Sequence, residues 1–322
     1  MALLKLIPYN TNVDMVKYRF VFYAISLVIV LGSIGAYFTK GLNYGVDFKG
    51  GFVIEIRTPQ PADLGKMRQQ LDAMNLGGVK LQEFGSPNDV MIRVERQPGG
   101  DEAQMLAMNK IKAELGKDVE YRKIDTVGPT VSSELKKNAW ISIILATIAM
   151  LIYISFRFEW QYGVAAIIAL IQDCIAVIGL YAISGLEYNE TAIIAILTTA
   201  GYSINDTVVI YDRIRENMRK YKKMEIRELI NKSINETFSR TIYTSTTTLI
   251  AIICLYYFGG SVISSFSLPI MAGIIVGTYS SICVASMFLL FFDLGRNAGS
   301  VDVSKKNVAG VSKKKAVVQR DG

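Results

Sequence analysis

The sequence predicts a polytopic α-helical membrane protein: a six-helix transmembrane bundle with a small α+β, ferredoxin-like extracytoplasmic domain between spans one and two. Three observations carry that prediction. First, 51% of the 322 residues are hydrophobic, and they gather into six predominantly apolar stretches, each close to the roughly 20 residues that cross a hydrocarbon core. Second, the short connecting segments sort by charge. Third, the long segment 40–138 alternates between strand and helix spacing of its apolar residues.

Residues 1–19 read as a basic cytoplasmic segment, followed by span one at 20–39. Its uncharged run exceeds the roughly 7–15 residues of a signal-peptide core and no A-x-A site follows, so it is expected to remain a span. Spans two (139–156), five (241–258) and six (266–292) are also free of charge, whereas spans three (162–185) and four (191–211) hold one carboxylate each. With the N-terminus inside, segments 1–19, 157–161, 212–240 and 293–322 carry 20 Lys/Arg against 10 Asp/Glu. The short outside loops 186–190 and 259–265 carry no Lys/Arg. That asymmetry is the positive-inside pattern, and it puts both termini in the cytoplasm. It explains the net charge of +7 as topology and leaves no case for nucleic acid.

Segment 40–138 nearly balances its charge and is long enough for a domain of its own. After a Gly-rich entry, residues 52–57 alternate as a strand, 62–74 space Leu64, Met67, Leu71 and Met74 helically, and 79–84 and 90–95 give two more strands. Residues 101–115 read as a helix with Asp101 as its N-cap, and 119–124 as a last strand. The order β-α-β-β-α-β is the split-βαβ pattern. Segment 212–240 is expected to be a basic, mostly helical loop whose apolar stripe lies against the bundle or the interface. Segment 293–322 reads as a disordered basic tail.

Two carboxylates sit inside spans, each at an insertion cost of about 2.5–3.5 kcal/mol. Asp206 lies about 7–8 Å from the cytoplasmic end of span four, at 1.5 Å per residue. Thr199, Tyr202, Ser203 and Asp206 share one helical face, which Asn205 and Thr207 widen. On span five, Arg240, Thr244, Thr247 and Thr248 make a facing polar stripe, and Arg240 is long enough to reach inward. Asp206 with Arg240 is therefore the candidate proton-transport pair: with the guanidinium near, the carboxylate stays charged, and with it withdrawn, desolvation favours protonation. A static ion pair is the alternative. Asp173, near mid-bilayer in span three with Gln172 beside it, is an accessory polar residue. In span six, Gly273, Gly277, Ser281 and Ala285 form a small-residue ridge suited to close helix packing.

The composition closes other routes. There is no His, so His-ligated metals and His-dependent triads are excluded, and no phosphate-binding glycine loop appears. Cys174, Cys254 and Cys283 lie in separate spans and read as small buried hydrophobes. No cofactor, no metal and no enzymatic centre are expected.

The run from Gly201 through Asp206, Asp212, Arg213, Arg215 and Glu216 to Asn217 resembles the signature of the SecD/SecF family of the bacterial Sec export machinery, on its SecF side. Gly45, Asp47, Phe48, Gly50 and Gly51, after span one, resemble the motif that both branches share. Val127-Gly128-Pro129, Arg240-Thr241 with Thr244-Ser245, and Tyr256 with Phe258-Gly259-Gly260 match as well, so the likeness runs over residues 18 to 295. It implies a multi-pass protein of the bacterial cytoplasmic (inner) membrane. It also implies a secondary, proton-coupled transport component, related to resistance-nodulation-division transporters, that assists preprotein export. The partners implied are SecD, the Sec translocon channel with its accessory membrane proteins, preprotein substrates and membrane lipids. Asp206 and Arg240 fall at the family's proton positions, and the glycine motif at the coupling point between membrane and external domain. Many relatives carry His where this chain has Gln172 and Ser239, so any contribution of those His is absent or replaced. Half of a proton-driven exporter of small solutes or lipids is the alternative within the superfamily, and a scaffold without transport is a third reading.

Overall fold

The computed structural model describes residues 12–74, 76–84, 86–116, 119–292 and 294. The tail expected to be disordered lies outside the described residues. Six helices are long and apolar enough to cross a membrane. They are α1 (Arg19–Lys40), α5 (Pro129–Arg157), α6 (Trp160–Ser184), α7 (Glu190–Lys220), α8 (Ile226–Phe258) and α9 (Gly260–Ser280). Half or more of the apolar stretch is buried in α6, α7 and α9, against about a tenth or less in α1, α5 and α8. The bundle therefore has an inner trio and an outer trio.

Close approach between helices of the bundle comes from missing side chains. A Cβ on Gly273 of α9 would stand 2.0 Å from Thr199 Oγ1 of α7, and one on Gly179 of α6 would stand 2.2 Å from Ser33 of α1. Small residues let helices meet where lipid supplies no hydrophobic drive. After α9 the chain widens into a π-turn, Ser281–Ala285, and every residue of that turn is buried.

The α+β domain lies between α1 and α5. A strand β1 (Asn43–Tyr44) and a single helical turn α2 (Val46–Lys49) lead into β2 (Gly51–Arg57), α3 (Leu64–Asp72), β3 (Val79–Phe84), β4 (Ser86–Glu95), α4 (Gly100–Leu115) and β5 (Glu120–Val127). The strand order is β3-β4-β2-β5, all antiparallel, the ferredoxin-like arrangement. Phe52, Ile54 and Ile56 of β2 point to one face, where Met67 and Leu71 of α3 and Ala107 and Ile111 of α4 complete the core. Asp63 caps α3 by accepting from the Gly65 and Lys66 amides. The cap of α4 differs from expectation: Gly99, at φ +121°, takes that place, and Asp101 falls in the first turn beside the positive end of the helix.

The helix of span two begins ten residues before the apolar run and rises from Pro129 directly after β5. The segment 212–240 is not a separate interfacial helix. It is the continuation of α7 and α8 beyond the apolar run, joined by a turn, with Ile214, Ile230 and Ile234 buried against the end of the bundle. Asn231 and Asn235 fasten the N-terminal segment there by accepting from the amides of Met15 and Val13, each at 2.9 Å. Of the cysteines, Cys283 is buried, but Cys254 is exposed because outer helix α8 turns that face away from the bundle.

Candidate functional site

Both intramembrane carboxylates are buried, and they occupy different surroundings. Asp173 on α6 is fully enclosed, at 0% exposure. Its Oδ2 accepts from Ser203 Oγ of α7 at 2.5 Å and from Ser280 Oγ of α9 at 2.8 Å, while Oδ1 has no partner among the described residues. The hydroxyl set continues past it. Ser281 Oγ donates to the Ser203 carbonyl oxygen at 2.9 Å and lies 2.8 Å from Thr207 Oγ1. Ser280 and Ser281 are neighbours in sequence and both fully buried. The π-turn starts at Ser281, directly after Ser280. Tyr211, whose hydroxyl donates to the Ala285 carbonyl, closes the turn from α7.

Asp206 faces the other way. It is 2% exposed and looks toward α8, where the Thr244 and Ser245 hydroxyls stand against it and Arg240 acts at longer range. Those hydroxyls bond back to their own helix: Thr244 and Ser245 each donate to the Thr241 carbonyl at 2.9 Å, and Ser245 also lies 2.7 Å from Thr278 Oγ1. Asp206 Oδ2 has no partner among the described residues. Arg240 is exposed, and no ion pair joins it to Asp206 among the described residues. The arrangement holds a desolvated carboxylate beside hydroxyls, with a cation on the facing helix and out of contact. With no ion pair fixing the carboxylate among the described residues, that geometry permits proton uptake and release.

The stripe expected along α7 and α8 thus divides. Ser203 belongs to Asp173, and Asp206 to Thr244. Thr199 packs against Gly273 with its hydroxyl unpartnered, and Tyr202 is half-buried with an unpartnered hydroxyl. Asn205 and Thr247 are exposed. Thr247 and Thr248 bond to the carbonyls one turn back on α8. Gln172 and Ser239, at the positions where the resemblance expects His, are buried with a side-chain polar atom unpartnered in each. Ser245, Ser280 and Ser281 complete the two environments; the sequence offers Ser281 only as part of the packing ridge of span six and Ser245 only within a family motif. Nothing in helical periodicity singles out Ser280 and Ser281 as a pair.

The glycine motif sits where the α+β domain meets the bundle. Phe48 is 2% exposed and inserts among Val177, Tyr181, Tyr188, Ala192, Ile193 and Ile196 of α6, α7 and their connector. Gly45 donates to the Tyr188 carbonyl at 2.9 Å. Gly51 has φ +141°, and a Cβ there would stand 2.1 Å from the Val94 carbonyl oxygen of β4. Glycine is required at that position by backbone and by space. Asp47 is half-buried in the α2 turn.

The family model described as "Protein export membrane protein SecD/SecF, C-terminal" matches residues 107–294, and a "SecD/SecF GG Motif" model matches residues 38–62. The chain is 43% identical over 293 residues to the protein translocase subunit SecF of Rickettsia prowazekii (strain Madrid E), covering 90% of this chain and 94% of that protein. It is 45% identical over 296 residues to SecF of Rickettsia bellii (strain OSU 85-389), covering 90% and 96%. Among solved structures it resembles SecDF from Thermus thermophilus, a translocon-associated membrane protein, with a TM-score of 0.76 at 34% identity. That match covers 88% of this chain and 39% of that one. SecDF in a super-membrane-facing form gives a TM-score of 0.66 at 35% identity, over 94% and 41%. The chain therefore spans about two-fifths of the SecDF chains.

Proposed function

The chain belongs to the SecD/SecF family of protein-export membrane proteins, among the SecF translocase subunits, and on that premise we propose that it couples export to the proton motive force through Asp206. It is a multi-pass inner-membrane protein that serves protein export. The proposal concerns how. The observation that carries it is a carboxylate buried in the membrane with one oxygen unpartnered, facing hydroxyls on α8, with Arg240 on that helix and not in contact. Approach of the guanidinium favours the carboxylate, and withdrawal leaves desolvation to favour the acid. Each charge moved across 100 mV is worth about 2.3 kcal/mol, so a few protons suffice to drive a domain movement.

The working unit in this reading is a complex with SecD. The solved SecDF chains support it, because this chain matches only one part of them. The charge on the short loops favours a cytoplasmic N-terminus and an extracytoplasmic α+β domain. The domain would there meet emerging preprotein beside the translocon channel. The test is proton flux into vesicles holding the reconstituted complex. Asp206→Asn should assemble with its partner, lose the flux, and lose the stimulation of export by an imposed gradient. Normal stimulation in that variant would remove Asp206 from the proton path.

A further inference from the structure

The end of the bundle that carries the basic loops has a cleft of about 390 Å³ between the last turn of α5 and the extension of α7. Arg157, Asp212, Arg215, Glu216, Arg219 and Lys220 line it. The acids are already engaged. Arg157 Nη2 donates to Asp212 Oδ1 at 2.8 Å, and Glu216 is held from outside the cleft by Arg213 at 2.6 Å. Arg215, Arg219 and Lys220 have no carboxylate partner among the described ion pairs. Two of the cations are braced in place: Arg157 and Arg215 both lie over the Phe158 ring, at 5.1 and 5.3 Å, and Arg215 also donates to the Arg157 carbonyl at 2.9 Å. The cleft is thus a preformed cationic pocket with surplus positive charge.

What adjoins it is apolar and open. Along α5, Ile141, Leu145, Ile148, Ile152 and Phe156 form one exposed stripe, and Phe156, at 89% exposure, immediately precedes Arg157. A ligand matching both features has an anionic head and long apolar tails. We propose that this cleft binds the headgroup of an anionic phospholipid, with its acyl chains lying along the α5 stripe. Basic pockets between transmembrane helices recognise such headgroups, and each nearby Lys or Arg adds attraction to an anionic lipid. Arg157 and Arg215 offer planar donors to phosphate oxygens, and Arg219 and Lys220 supply charge at the mouth. The site is separate from Asp206 and Arg240.

The experiment offers the delipidated full chain, in mild detergent, an equimolar mixture of phosphatidylglycerol and phosphatidylcholine, and counts retained lipid by native mass spectrometry. The parent should retain phosphatidylglycerol about tenfold over phosphatidylcholine. Arg219→Gln with Lys220→Gln should bring the ratio near unity at an unchanged unfolding temperature. Lys222→Gln with Lys223→Gln, an equal loss of charge outside the cleft, should leave the preference intact, as should Asp206→Asn. Absence of preference in the parent, or equal losses in both double variants, would overturn the site. Displacement of the lipid by millimolar glycerol 3-phosphate would overturn it in favour of a soluble anion. An unchanged lipid ratio with loss of a co-purifying membrane protein in Arg219→Gln/Lys220→Gln would overturn it in favour of an acidic protein surface.

Discussion

Ser203 donates to Asp173 at 2.5 Å across the α6–α7 contact, so the hydroxyl three residues from Asp206 on the same helix serves a different carboxylate. Ser203→Ala removes one of two hydroxyl donors to a fully enclosed group. The expected cost is about 1–3 kcal/mol, read as a lower unfolding temperature in detergent. Asn205→Ala, at an exposed neighbour, should stay within about 0.5 kcal/mol. In an Asp173→Asn background, the Ser203→Ala cost should change, because residues in direct contact do not contribute additively.

Arg240 gives a sharper distinction. A static buried pair, broken on one side, costs about 3–5 kcal/mol. Arg240 is exposed and makes no described ion pair with Asp206, so Arg240→Met should unfold within a degree or two of the parent while proton flux in the reconstituted complex is lost. A strongly destabilised Arg240→Met with residual flux would identify the arginine as a structural tie.

Gly273 sets the distance between α7 and α9. With Thr199 Oγ1 2.0 Å from the added methyl, Gly273→Ala overpacks the inner trio, and a cost of about 1–3 kcal/mol is expected. Thr199→Ala should recover part of that loss in a double-mutant cycle. Additive losses would mean that the helices separate without regard to that contact.

Gly51→Val tests the coupling motif. The residue has φ +141° and no room for a Cβ beneath the Val94 carbonyl, so the start of β2 must shift. Membrane insertion should be retained, while limited proteolysis cuts the external domain faster and export falls. Equal loss of protein level and activity would reduce the motif to a turn.

Acid should loosen the external sheet at one identifiable place. Hydrogen bonds from Arg57, opposite it in register, hold Asp89 down to about 2, with Ser86 and Arg122 adding to the effect. A depressed carboxylate contributes its stability above its ordinary value of 3.8, and that contribution fades as pH falls toward about 2. Amide protection in β2 and β4, taken relative to the intrinsic exchange rate at each pH, should fall over that window in the parent. In Asp89→Asn it should be lower throughout and unchanged across that window.

Composition was enough to find six spans, because an uncharged run such as 241–258 has no other stable use in a chain of this kind. The split-βαβ domain was legible because Phe52, Ile54 and Ile56 keep strict alternation over a single buried face. The division of the polar stripe was not legible. Helical spacing says that Ser203 and Asp206 share a face, yet which carboxylate a hydroxyl serves depends on how α6, α8 and α9 surround α7. As members of the polar site, Ser280 and Ser281 escaped for a local reason, since a π-turn has no signature in a period of 3.6 residues. Asp101 was misplaced by a rule that favours side-chain caps, where a glycine at positive φ made the bend instead.

The short parallel pairing of β1 with β6 (Glu187–Tyr188), the α6–α7 connector, is reinforced by the Arg93–Glu187 ion pair and by Lys80 donating to Asn43 at 2.6 Å. One fastening ties β4 to the α6–α7 connector, and the other ties β3 to β1, which pairs with that connector. Mechanically the sheet is a lever arm with its fulcrum at that connector. A seven-residue strand such as β2 is about 23 Å long at 3.3 Å per residue. A tilt of the connector by about 10° would therefore sweep the far end of that strand through about 4 Å. The gain of such a lever is set by strand length, and its slack by how firmly Arg93 grips Glu187.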